Sequence, residues 1–179
     1  MLTTLHIENF AIVSRLELEF TEGMSVLTGE TGAGKSIMID ALLLALGGRG
    51  DSSCVRPGAL KCQISACFSV DSSSEPTRWL MENDLATEGH EIILRRVISA
   101  EGRSRAYING QLFPLQKIKE LSVMLVDIHG QHQHQTLLKH QTHRQQLDCY
   151  ANNQELLNEV AKKYKVCQEL QKKTAANAK

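Results

Sequence analysis

The most specific chemistry in the chain belongs to eight consecutive residues, Gly29, Glu30, Thr31, Gly32, Ala33, Gly34, Lys35 and Ser36, which satisfy the pattern G-x-x-x-x-G-K-S. Glycines at these places let successive backbone N–H groups curl around an anion with no Cβ in the way. A helix starting at Lys35 and Ser36 adds its positive dipole end. The Lys35 ammonium suits the β- and γ-phosphates of a nucleoside triphosphate, and the Ser36 hydroxyl suits Mg²⁺. A nucleoside triphosphate and Mg²⁺ are therefore the expected ligands. The bland alternative, a cluster of turn glycines beside an exposed lysine, is the poorer one for a full motif set between an apolar run and a helical pattern.

Other chemistry-bearing groups are less specific. Asp127 ends the apolar run Val123-Met124-Leu125-Val126 and could hold Mg²⁺ through water, which would make the chain a self-contained small NTPase or kinase. Ile128 follows it where a general base would be needed, so an aspartate bonding loop backbone at a strand end is the competing reading. The histidines His129, His132, His134, His140 and His143 are dense enough to raise a metal site, but no cysteine or carboxylate stands at ligand spacing among them. Polar contacts from an exposed loop are the simpler expectation. Arg95, Arg96, Arg103 and Arg105 surround a hairpin pattern. Strand alternation puts Arg95 and Arg96 on opposite faces, so at most part of that cluster shares a surface. Contact with DNA phosphates and a merely solvated face are both open.

The elements that must position these groups read as follows. Residues 2–8 and 12–20 alternate as two strands joined through Asn9-Phe10-Ala11. Met24 to Thr28 is a short apolar run, expected as the strand feeding the glycine loop. From Ser36 the residues Ile37, Ile39, Ala41, Leu42, Leu44, Ala45 and Leu46 predict a helix apolar almost all round, hence buried, and Gly47-Gly48 stop it. A glycine- and serine-rich loop covers 47–61, strand character returns at 62–70, and Pro76 opens a helix near 76–84. Residues 91–99 and 103–109 predict a hairpin with Gly102 at its bend, and Asn109-Gly110 a second turn. Pro114 opens a helix to about Leu121, and Val123 to Ile128 is expected as a buried strand. Residues 141–173 hold no Gly or Pro. Within them Leu157, Val160, Tyr164 and Cys167 step by three, four and three, as one seam of a coiled coil does. A single amphipathic surface helix is the alternative.

With 179 residues, 42% hydrophobic and 22% charged, the chain has the makings of one ordinary globular domain plus an appendage. Twenty basic and twenty acidic residues give zero formal net charge, so nucleic-acid contact would have to come from local patches. The five cysteines, Cys54, Cys62, Cys67, Cys149 and Cys167, are odd in number and form no CxxC pair, which points to free thiols in a reducing compartment. No cationic stretch precedes an apolar run at the N-terminus, and the run Ile37–Leu46, broken by Asp40, is too short to cross a bilayer. A cytoplasmic protein is expected.

The opening Leu5-His6-Ile7-Glu8-Asn9-Phe10, the strand Leu16 to Phe20, and Leu27-Thr28 running into the glycine loop together resemble the start of SMC and related DNA-repair ATPases. Asn9-Phe10-Ala11-Ile12-Val13 and His129-Gly130-Gln131-His132 strengthen the likeness. The resemblance covers roughly residues 1–150, and it implies an α/β P-loop NTPase fold: the N-terminal lobe of an ABC-type ATPase head over 1–150, with an antiparallel β portion, and the start of a coiled-coil arm over 151–179. It places Gln131 as the glutamine that senses Mg²⁺ and the γ-phosphate, and Arg49 in an arginine loop near nucleotide and DNA. It implies DNA as partner, a C-terminal head lobe of the same protein, and a homodimer. ATP would join two heads so that hydrolysis separates them during recombinational double-strand break repair. Ala11 stands where SMC proteins usually carry Lys or Arg. No Leu-Ser-Gly-Gly signature and no Asp-Glu pair after an apolar strand occur in the sequence. In the resembled family both lie beyond the coiled coil, so the chain is expected to bind ATP and hydrolyse it negligibly. A non-catalytic, nucleotide-gated structural module remains the other class of reading.

Overall fold

The computed structural model describes residues 1–28, 34–85, 89–128, 143–144, 147–148, 150–151 and 153–177. The chain divides into two compact units, Met1–Asp127 and Ile128–Lys179.

The first unit is built on an antiparallel sheet. Its strands are β1 (Leu2–Phe10), β2 (Val13–Glu19), β3 (Lys61–Ser69), β4 (Glu91–Ser99), β5 (Ser104–Ile108) and β6 (Gln111–Leu112), in the spatial order β2-β1-β3-β4-β5-β6. Register follows from alternation. Leu5 and Ile7 of β1 lie opposite Ala66 and Ile64 of β3, and Ile64 lies opposite Arg96 of β4. One face therefore carries Leu5, Ile7, Cys62, Ile64, Ala66, Phe68, Ile92, Leu94, Ile98, Ala106 and Ile108, all buried. Three helices accompany the sheet: α1 (Lys35–Ala45), α2 (Glu75–Glu82) and α3 (Leu115–Leu125). Trp79, Leu80, Ile118 and Leu121 extend the core from α2 and α3.

The junction of α1 and α3 is closely fitted. Gly47 ends α1 with φ +95°, and a Cβ there would stand 2.7 Å from Lys119 Cγ and 3.3 Å from the Leu115 carbonyl oxygen. Only glycine meets both demands. The buried Ser122 hydroxyl donates toward the Ile118 carbonyl at 2.7 Å and the Leu46 carbonyl at 3.0 Å, so one side chain ties the end of α1 to α3.

Most predicted elements are present, including both turns of the β4–β5–β6 meander: Gly102 has φ +86°, and Asn109 and Gly110 have φ +47° and +84°. Two expected strands are not. Residues 24–28 form no strand, and Met24, Val26 and Leu27 are 94%, 76% and 55% exposed. An apolar run becomes a strand when a neighbour pairs its backbone, and among the described residues no strand pairs it. The run 123–128 is not a buried strand either. Helix α3 continues to Leu125, and Val123 is 83% exposed. Helix formers from Leu115 onward, together with the Ser122 bond, outweigh the strand pattern. Burial of α1 is also one-sided, contrary to expectation: Ala41, Leu44 and Ala45 are buried while Ile39 is half exposed.

In the second unit, α4 (Gln154–Asn177) is a single helix of 24 residues, roughly 36 Å long at 1.5 Å per residue. Val160 and Tyr164 of the predicted seam are more than half exposed. An i,i+4 pair, Glu159 with Lys163 at 2.7 Å, supports the polar surface. Among the described residues no helix is long and apolar enough to cross a membrane.

Candidate functional site

The glycine loop reaches the described structure at Gly34, the N-cap of α1, whose φ of 93° and ψ of −1° are left-handed. A Cβ added there would meet nothing within 4 Å, so the backbone conformation and not crowding calls for glycine. Helix α1 begins immediately with Lys35, as the motif requires. Its N-terminus has no side-chain cap and no acidic residue in the first turn. The leading N–H groups of a helix need an acceptor, and the N-cap Gly34 has no side chain to offer one. This donor set fits a phosphate. Lys35 is half-buried and Ser36 exposed at the same helix end, a cation and a hydroxyl beside those amides. Mg²⁺ would fall to the Ser36 hydroxyl among the described residues.

Lys35 also borders a hollow of about 570 Å³ walled by Leu5, Leu18, Phe20, Val26, Met38 and Ile39, among others. Gly29, Glu30, Thr31, Gly32, Ala33 and Gln131 lie outside the described residues, as do His129, His132, His134 and His140. Among the described residues no group of three His, Cys, Asp or Glu is placed to hold a metal ion.

Arg49 is exposed, just past the far end of α1. The eleven residues of α1 separate it from Lys35 by roughly 16 Å along the axis. Its loop is anchored by neighbours: Asp51 Oδ1 accepts from the Ser53 N–H at 2.8 Å and from the Ser53 hydroxyl at 2.5 Å. The Ser53 hydroxyl, followed by the Ser53 amide, holds the Asp51 carboxyl below its ordinary range. Ala11 sits at the β1–β2 turn with φ +50° and donates its N–H to the Cys54 carbonyl at 2.9 Å. The turn and the Arg49 loop are thus stitched together.

The arginine cluster separates as alternation requires. Arg96 is 4% exposed on the core face, and its Nε and Nη1 make no hydrogen bond. Burial lowers its pKa, with Cys62 and then Cys54 opposing. Arg95 lies on the other face, its guanidinium 4.4 Å from the centroid of the Tyr107 ring. That contact and the Ser122 tie were not read from the sequence. Alternation carries the first, since Arg95 and Tyr107 are register partners, whereas nothing local announces the second.

A family model described as AAA domain matches residues 4–179. The chain is 50% identical over 164 residues to the DNA repair protein RecN of Vibrio cholerae, covering 92% of this chain and 29% of that protein. The RecN of Bacillus subtilis is 42% identical over 151 residues, covering 84% and 26%. The chain therefore spans about three tenths of the length of the curated relatives it matches. Among solved structures, one from work on ATP-driven dimerization and DNA-stimulated activation of SMC ATPases superposes with a TM-score of 0.60 at 20% identity. It covers 82% of this chain and 95% of that one. The Smc head domain from Pyrococcus furiosus, solved with the C-terminal domain of ScpA, gives 0.57 at 21% identity, covering 70% and 33%. These neighbours carry the fold: an α/β P-loop ATPase head with an antiparallel sheet. By the family model that spans nearly all of it, the chain belongs to the AAA-domain family, and it is similar to the DNA repair protein RecN.

Proposed function

We propose that the chain is the nucleotide-binding, N-terminal part of an SMC-like DNA-repair ATPase, RecN-like in its action on double-strand breaks. One observation supports it most: α1 starts at Lys35 from a left-handed Gly34, at the point where the glycine motif requires a helix to begin. Lys35 stabilises phosphate charge, and Gly29 to Gly34 supply amides around it. Ser36 and Gln131 hold Mg²⁺, Gln131 also orienting the attacking water. Arg49, a helix length away, would serve the nucleotide of a second head. In this proposal residues 1–150 form the lobe and 151–179 open a coiled-coil arm. The rest of the protein supplies a C-terminal lobe with the general base, and two copies engage through ATP to clamp or tether DNA in the cytoplasm.

Calorimetry with MgATP tests the loop. Lys35→Ala removes a charge-assisted contact worth roughly 1.5–3 kcal/mol, so affinity should fall about ten- to a hundredfold. Equal affinity of variant and wild type would refute the site. A self-contained NTPase using Asp127 is the second reading. It would be favoured by turnover in this chain that Asp127→Ala abolishes.

A further inference from the structure

We infer that the open face of β3, β4 and β5 is a contact surface for the phosphodiester backbone of duplex DNA. This rests on the proposed DNA-repair role and assigns the surface that meets the nucleic acid. Register places the groups. Lys61 lies opposite Ser99, Arg95 opposite Tyr107, and Arg105 opposite Val97, all on the face turned away from the core. Arg103, beside the start of β5, joins them in lining one hollow of about 560 Å³. Lys61, Arg103 and Arg105 are exposed. Among the described residues no carboxylate lies within ion-pair distance of Lys61, Arg95 or Arg105. Arg103 has Glu101 at 3.7 Å with both side chains more than 70% exposed, a pair that a phosphate readily displaces.

Four cations thus converge on three adjacent strands of a chain whose formal net charge is zero. One carboxylate, Glu101, lines the hollow itself beside Arg103, and Glu8 of β1 stands opposite Gln63 at its edge; Glu17 and Glu19 on β2 and Glu91 at the opposite end of β4 lie farther out on the same face. Arg95 and Arg105 are diagonal neighbours across β4 and β5, about 7–8 Å apart, so the two can meet different phosphates of one DNA strand. Arg95 is held by its stack on Tyr107, which leaves its donor fork oriented for a phosphate. Single-stranded nucleic acid is gripped largely by bases stacking on free aromatic rings. The aromatic ring in this hollow is already covered by Arg95, so the surface suits a duplex backbone. The acidic margins confine it to the β3–β5 side.

The test is binding of a dye-labelled, mixed-sequence DNA duplex to the 179-residue chain without nucleotide, followed by anisotropy across a salt series. Each phosphate neutralised contributes about 0.9 to the slope of log K against log salt. The triple variant Arg95→Gln, Arg103→Gln, Arg105→Gln should lose about two to three units of slope and at least tenfold in affinity at low salt. The corresponding triple Lys variant should keep most of the slope, which a purely structural role would not produce. Fluorescence of Trp79 checks that each variant is folded. Equal slopes for wild type and the Gln variant would overturn the assignment, as would a Lys variant as impaired as the Gln variant. So would tighter binding of an RNA duplex lost in the same way. Calorimetry with MgATP should give unchanged affinity for the Gln variant, so failure of the DNA surface is read separately from failure of the nucleotide site.

Discussion

Cys62 is fully buried on the core face of β3, and burial pushes its thiol pKa up. Thiolate is the reactive form, so Cys62 is doubly protected, by access and by protonation. Cys167 on α4 is exposed. With a thiol-alkylating reagent near neutral pH, Cys167 should be modified first and Cys62 only on unfolding, as peptide mass mapping over time would show. Modification of native Cys62 as fast as Cys167 would contradict the burial described. Arg96 shows the opposite economy. A guanidinium buried without hydrogen bonds at Nε and Nη1 costs stability unless it is compensated. That Arg95 and Arg96 point to opposite faces of one strand was legible in the sequence. Which of the two faces was the core was not, since that depends on which side α1 and α3 cover.

At the scale of elements, the contact between α1 and α3 carries the clearest test. Gly47→Ala would place a methyl group against Lys119 Cγ and the Leu115 carbonyl while keeping φ at +95°. Strain of about 1–2 kcal/mol from the left-handed conformation is expected before any clash is counted. Ser122→Ala removes a buried donor shared between two carbonyls and should cost about 1 kcal/mol. Urea denaturation should show both variants with a lower midpoint and unchanged slope. The β4–β5 hairpin and the Asn109-Gly110 turn could be read in advance because their signals are local: alternation, and residues that tolerate positive φ. Met24 to Thr28 and Val123 to Ile128 could not, because an apolar run specifies a strand only when another strand pairs with it. The helix start at Lys35 was legible for the same local reason as the turns, since the glycine motif fixes it within its own eight residues.

For the molecule as a whole, the short share of the relatives' length bears on catalysis. If the general base and the opposing donors lie in a C-terminal lobe, this chain should bind MgATP and release phosphate no faster than a buffer control. Adding that lobe, in the same polypeptide or as a second one, should then restore turnover. Gln131→Ala in the restored enzyme should lower kcat more than it weakens ATP binding. Robust hydrolysis by the chain alone, insensitive to Gln131→Ala, would overturn the half-head proposal.

The strand order β2-β1-β3-β4-β5-β6 also has a kinetic consequence. Among the described strands, four of the five pairings join strands that follow one another in the chain, and β1 with β3 closes the longest loop. Bringing distant segments together is what slows folding. The β4–β5–β6 meander should therefore be present early, while docking of β1 onto β3 limits the rate. A destabilising substitution at Ile7, in β1, should chiefly slow refolding if that docking defines the transition state. One at Ile108, in β5, should slow it as well if the meander is already formed there. Stopped-flow refolding of Ile7→Val and Ile108→Val would decide, and an Ile7→Val effect confined to unfolding would place the β1–β3 pairing after the barrier.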